Sequence, residues 1–223
     1  MKPGTFLSLL SLFMSAQFLA QIGIWIADLF LSQWDISMSG YMQEVGVTTD
    51  RLSMFLYVGI GAPLFEELLF RGYVLRCLAP YGKRMAVLVS ALTFGLFHGN
   101  PAQTVYAFAV GILLGYVALE FHIGWAIVLH MFNNLIFADA LPRLLQALGL
   151  PGQELILLAV MVVFFLVGLC VLLVKYRQVA QLLRGGLLSV WQAKAVLTSP
   201  WMLVFVGSCL LDMVIFVTLL LRC

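Results

Sequence analysis

The stretch APLFEELLFRGYVL, residues 62–75, sets two adjacent glutamates and an arginine inside a run of apolar residues. Each such charge costs about 2.5–3.5 kcal/mol at the centre of a bilayer helix. A segment that only had to span would use leucine. Outward from this stretch the chain is made for lipid. Of its 223 residues 63% are apolar and 10% charged, and the mean hydropathy is +1.08. A soluble domain has roughly 45–50% apolar and 25% charged residues. The class is therefore all-α, a polytopic transmembrane helix bundle. The net charge of +2 comes with no basic stripe of the kind that reads a phosphate backbone, so nucleic acid is not an expected partner.

A helix crosses a ~30 Å hydrocarbon core with about 20 apolar residues. Stretches at about 6–31, 52–79, 85–98, 102–120, 123–141, 154–174 and 201–221 meet or approach this, which predicts about seven helices, the third of them short. The first run is too long for a signal-peptide core and is read as a retained helix. With Lys2 in the cytoplasm, Arg76, Lys83, Arg84, Lys175, Arg177, Arg184 and Lys194 fall on the same side. Arg51, Arg143 and Arg222 fall outside, beside the acidic loop of Asp35, Glu44 and Asp50. This asymmetry predicts a multi-pass cell-membrane protein with a cytoplasmic N-terminus. Trp34, Tyr41, Tyr81, Trp191 and Trp201 fit interfacial belts. The basic segment 175–199, with VAQLLRGGLLSVW, suits a surface-lying helix or a plain connector. Cys77, Cys170, Cys209 and Cys223 form no CxxC pair or spaced framework and read as small apolar residues. The terminal LLLRC is not a CaaX box, so prenylation by that route is not expected. The organisation divides at 1–49, a first helix and outer loop; 50–150, a polar-bearing core; and 151–223, C-terminal helices with a basic loop.

The ionisable residues inside the apolar runs are Glu66, Glu67, Arg71, His98, His130, Asp139 and Asp212. Glu67 and Arg71 are i,i+4 and share a face, where each lowers the cost of the other. Glu66 points about 100° away and needs another partner or a wet cavity. Pro63, preceded by Gly59 and Gly61, removes a backbone donor and loosens the turn before it. In TFGLFHGNPAQ, Phe94 and His98 share a face, and Gly99, Asn100 and Pro101 stop the helix. In VLHMFNNLIF, His130 and Asn134 share a face, with Asn133 adjacent. Each feature alone is equally well a polar anchor or an interhelical bond. At 1.5 Å per residue, Glu66 lies roughly 20 Å from the outer end of its helix. His130 lies roughly 10 Å, and His98 roughly 20 Å, in from the cytoplasmic side. All three then meet in the inner or middle membrane. Asp139 and Asp212 stand apart with no assigned site, and His122 reads as interfacial.

In this order, EELLFR, FGLFH and HMFNN resemble the EExxxR, FxxxH and HxxxN/D motifs of the CAAX protease and bacteriocin-processing (CPBP, or Abi) family of intramembrane endopeptidases, over about residues 50–140. The resemblance implies hydrolysis of a peptide bond in a membrane-associated peptide or prenylated-protein substrate. Eukaryotic relatives trim prenylated CaaX proteins, and bacterial members are tied to bacteriocin maturation or immunity. It implies Glu66 as the general base that activates water, His98 as the group that holds the water, and His130 with Asn134 as oxyanion donors. Glu67, Arg71 and Phe94 would be supporting residues. A carboxylate in an apolar site can take a proton from water, and donors aimed at developing charge supply a large stabilisation. Metalloprotease chemistry stays open, with zinc as the divalent metal and Glu66, His98 and His130 as candidate ligands. No HExxH helix fixes zinc in the usual way. HExxH, GxGD and GxSxG signatures of other intramembrane proteases are absent. The alternative is a non-catalytic membrane immunity or scaffold protein that binds a peptide or partner. A transporter with a proton relay would carry an inverted repeat, which the sequence lacks.

Overall fold

The structure is a computed structural model and describes residues 1–40, 51–177 and 190–221. The expectations resting on Tyr41, Glu44, Asp50, Arg184, Arg222, Cys223 and the Trp191 side chain lie outside the described residues, as does most of VAQLLRGGLLSVW. The described chain is helical throughout: α1 Pro3–Leu31, α2 Leu52–Tyr81, α3 Lys83–Phe97, α4 Pro101–Glu120, α5 Ile123–Ala147, α6 Gln153–Val174, α7 Val190–Leu197 and α8 Pro200–Leu220. Among the described residues six helices are long and apolar enough to cross a membrane: α1, α2, α4, α5, α6 and α8. The protein is thus a multi-pass membrane helix bundle. The expected third span, α3, has 15 residues, about 22 Å at 1.5 Å per residue, too short to cross alone. The short α7 occupies part of the expected connector 175–199.

The turns between helices follow from local chemistry. Gly99 sits at φ +64, where a side chain would be strained. Asn100 then caps α4, its Oδ1 accepting from the Gln103 N–H at 3.1 Å, and Pro101 takes the first helical position. His122 caps α5, its Nδ1 accepting from the Gly124 N–H at 3.0 Å.

Close packing explains how the helices come together. α4 lies on α3, on α5 and on α1, while α1 also lies along α6. On the α3–α4 seam a Cβ at Gly111 would stand 3.0 Å from Ala91, and one at Gly95 would stand 2.8 Å from the Thr104 carbonyl oxygen. Small residues here let the backbones approach, as membrane interfaces require. The α1–α6 seam repeats the device, with Gly168 against Ser11 and Ser15. The main core joins Leu9, Leu10, Phe13 and Met14 of α1 to Val110, Leu114 and Val117 of α4 and to Ala126 and Leu129 of α5. The first helix is thus part of the wall around the segment that carries the polar motifs.

Among the described residues three stretches widen beyond α geometry. Tyr57–Gly61, Leu68–Val74 and Asn133–Ala140 are wide π turns. The Ala62 N–H bonds to the Tyr57 carbonyl, Leu75 to Phe70, and Leu141 to Ile136, each five residues back. Two of these turns are followed at once by proline, Pro63 and Pro142. α2 continues through Pro63 to Tyr81. A wide register has already given up the ordinary bond, so a missing N–H costs less there. For the same reason α5 runs through Pro142 to Ala147, past its expected end at about 141.

Candidate active site

Glu67 and Arg71 form the expected i,i+4 pair: Arg71 Nη1 lies 2.9 Å from Glu67 Oε1, and both side chains are fully buried. The guanidinium is held on two further sides. Its Nη2 donates to the Gly111 carbonyl of α4 at 3.2 Å, and its carbon stands 4.2 Å from the centre of the Phe94 ring. Lipid and helix interiors offer no water to solvate an isolated cation, so these contacts carry its burial. Among the described residues Glu67 Oε2 and Arg71 Nε have no hydrogen-bond partner. Arg71 thus divides its donors between two helices rather than gripping Glu67 with both.

His130 of α5 joins this pair to Glu66. Its Nδ1 is 3.0 Å from Glu67 Oε1, and its Nε2 is 3.8 Å from Glu66 Oε2. Glu67, paired with Arg71, is a carboxylate and accepts, which assigns the proton to His130 Nδ1. The 3.8 Å separation exceeds a hydrogen bond and suits an indirect contact. Glu66 is the more open of the two carboxylates, its side chain 17% exposed. With Glu67 negative and Arg71 positive, the four groups are neutral when Glu66 and His130 hold one proton between Glu66 and Nε2.

Phe94 of α3 is the hub. Its ring lies edge-on to His98 at 4.9 Å and to His130 at 5.9 Å, under the Arg71 cation. His98 Nδ1 donates to the Phe94 carbonyl at 2.8 Å. A carbonyl only accepts, so neutral His98 keeps its lone pair on Nε2. Glu66, Glu67, Arg71, Phe94, His98 and His130 are therefore brought together, as the three motifs predict. Asn134 is placed differently. Its Nδ2 donates to the Val58 carbonyl of α2 at 3.1 Å, and its Oδ1 accepts from Asn133 Nδ2 at 3.2 Å. Asp139, expected to stand alone, pairs with Arg143 Nε at 2.9 Å, one turn on. Asp212 on α8 lies against the Gly99 turn, beside His98.

Three contributors were not singled out in the sequence. Phe13 of α1 packs 6.3 Å from the His130 ring. Tyr106 of α4 stands 6.3 Å from Phe13. Gly111 gives Arg71 its backbone acceptor. The aromatic residues are unmarked in a chain with this many, and a backbone carbonyl leaves no trace in composition.

Among the described residues no three His, Cys, Asp or Glu side chains gather as metal ligands. Glu66 and His130 approach each other, but with His98 they do not make a preformed ligand set.

Residues 48–136 match the family model described as type II CAAX prenyl endopeptidase Rce1-like. Comparison with curated proteins gave no match, and comparison with solved structures gave none. The matched span is the one that carries all three motifs, and it agrees with the resemblance read from them. At the family level it supports an intramembrane endopeptidase of the CAAX type. It leaves α1 and α6–α8 outside.

Proposed function

We propose that the chain is an intramembrane endopeptidase that hydrolyses a peptide bond of a membrane-associated substrate, prenylated or not, by glutamate-activated water. The observation that carries this reading is the contact chain Arg71–Glu67–His130–Glu66, with His98 held beside it across Phe94. In this reading a water rests against Glu66 and the free Nε2 of His98. Glu66 takes one of its protons as the oxygen attacks the scissile carbonyl. The carbonyl oxygen becomes an oxyanion and accepts from Nε2–H of His130, which Glu67 keeps aimed through Nδ1. Collapse of the intermediate breaks the C–N bond, and the proton on Glu66 passes to the leaving amine. The basic residues near Lys2, Arg76 and Lys83 favour a cytoplasmic N-terminus.

The test compares peptide termini in membranes and medium from cells carrying the wild type or Glu66→Gln at equal protein level. Glu66→Gln keeps size and removes the base, so specific termini are expected to vanish. A loss of at least a hundredfold is expected for a group that moves a proton in the transition state. If the termini are unchanged while a phenotype depends on Glu66, the chain binds a peptide or partner without cutting. Dialysis of the purified protein against a chelator distinguishes a metal-bound water from a water activated by Glu66 alone. Activation by Glu66 alone predicts unchanged turnover.

A further inference from the structure

Asp212 takes no part in the hydrolysis, yet the fold carries it to the edge of the reacting groups. We infer that Asp212 is a specificity residue: its carboxylate receives a Lys or Arg side chain of the peptide substrate, within a few residues of the bond that is cut. The inference rests on the hydrolytic reading and names a substrate class for it.

α8 is otherwise a plain span. Asp212 is its one acidic or basic residue, and a helix that only crosses lipid has no use for a carboxylate. At 1.5 Å per residue it lies roughly 18 Å along α8 from Pro200, and His98 roughly 22 Å along α3 from Lys83. Both are counted from the helix end beside basic residues, Lys194 for α8 and Lys83 with Arg84 for α3. The depths agree, and α8 packs on α3. Gly99, next to His98, sits at φ +64. A Cβ on it would stand 3.3 Å from Asp212 Cβ and 4.0 Å from Asp212 Oδ2. A bare glycine at this turn therefore lets the α8 carboxylate come up beside the residue that follows His98.

Among the described residues nothing neutralises this charge. Asp212 is exposed and makes no hydrogen bond or ion pair there. Glu67 and Asp139 each have an arginine one turn on, Arg71 and Arg143. Asp212 has Phe216 at that spacing, and one turn back Ser208 spends its hydroxyl on the Phe205 carbonyl. Arg71 is engaged by Glu67, Gly111 and Phe94, and His98 gives Nδ1–H to the Phe94 carbonyl. Lys83 and Arg84 belong to the far end of α3. Roughly 18 Å into a ~30 Å hydrocarbon core, no lipid headgroup reaches the site. A bound peptide does, and the long stem of Lys or Arg brings a cation across apolar surface to such a point. The same carboxylate repels an acidic group placed there, so it sorts substrates by sign. α8 lies outside the matched residues 48–136, so this selection is added to the polar cluster by a separate helix.

The probe is a set of synthetic apolar peptides in which one position at a time holds Lys, norleucine or Glu. They are incubated with the purified full chain in lipid nanodiscs, and the cut bonds are read by mass spectrometry. With Lys at one fixed distance from the bond, the wild type is expected to cut at least about tenfold faster than with norleucine or Glu. Asp212→Asn keeps the shape and removes the charge. It should erase that preference and leave norleucine peptides cut at the wild-type rate, while Asp212→Lys should turn the preference towards Glu. The same profile in the wild type and Asp212→Asn overturns the inference, and is also what an uncharged Asp212 gives. An equal loss on all three kinds of peptide, the mark of a merely structural role at the Gly99 turn, overturns it too. Absence of any Glu66-dependent cut in the wild type defeats the hydrolytic reading instead, and binding then decides the site. A fluorescent Lys peptide is titrated into Glu66→Gln and into the double variant Glu66→Gln, Asp212→Asn. Binding at least about tenfold weaker in the double variant, with the norleucine peptide unaffected, upholds the inference. Equal binding of the Lys peptide overturns it.

Discussion

Arg71→Met takes the guanidinium away from Glu67 and leaves His130 Nδ1 as the partner of that carboxylate. The arginine makes the 2.9 Å pair with Glu67, the 3.2 Å bond to the Gly111 carbonyl, and the stack on Phe94. Both partners are fully buried, so the remaining carboxylate stays in an apolar interior. Removing one member of such a pair costs about 3–5 kcal/mol, with about 1 kcal/mol of it from the lost hydrogen bond to the Gly111 carbonyl. For a chain of this size each kcal/mol moves the unfolding midpoint by about 2–4 °C, so a fall on the order of 10 °C is expected. The double variant Glu67→Leu, Arg71→Met removes both charges and should recover most of that loss, since a buried pair is often replaceable by apolar residues. It should not recover hydrolysis, because His130 Nδ1 then has no acceptor, and loss of such an orienting partner costs about 10- to 100-fold. Scanning fluorimetry in nanodiscs, followed by tryptophan emission, reads the first effect, and terminus yield reads the second. A single variant that shifts by less than about 3 °C, or a double no more stable than the single, refutes the reasoning.

Two further outcomes probe the frame. Gly168→Ala places a methyl 2.9 Å from the Ser11 carbonyl oxygen on the α1–α6 seam and should cost about 1–3 kcal/mol. Gly23→Ala on the same α1, with nothing within 4 Å, should be neutral or stabilise by up to about 1 kcal/mol; equal midpoints for the two would contradict the seam. Gly99→Ala forces a side chain into the left-handed region at φ +64, costing about 1–2 kcal/mol. Gly99→Asn should cost less, and thermal unfolding of the two variants checks the order.

Much of the fold and site was legible in the residues. Twenty-residue apolar runs located the helices because lipid demands length and apolarity and little else. The i,i+4 spacing of Phe94 with His98 held in ordinary helical register, and that of Glu67 with Arg71 held although Arg71 lies in the wide turn Leu68–Val74. What eluded the sequence is what depends on register and backbone. The wide turns at 57–61 and 133–140 have no compositional mark except the proline after each. Asn134 bonds the Val58 carbonyl at the first of them, and α5 continues through the second past Pro142. Arg71 found its second acceptor on Gly111, forty residues away, through a carbonyl that every residue possesses. Asp139 met Arg143 because the helix continued where a loop was expected.

The seating of α1 has a consequence for biogenesis. Its buried face meets α4, α5 and α6, so α1 is completed by partners made long after it. At 5–20 residues per second, synthesis from the end of α1 to the end of α6 takes on the order of ten seconds. Through that interval Phe13 and its neighbours face lipid or the insertion machinery, and the wall beside His130 is unbuilt. The polar cluster around His130 acquires its full surroundings only when a helix outside the polar segment arrives and α1 is clasped between later ones.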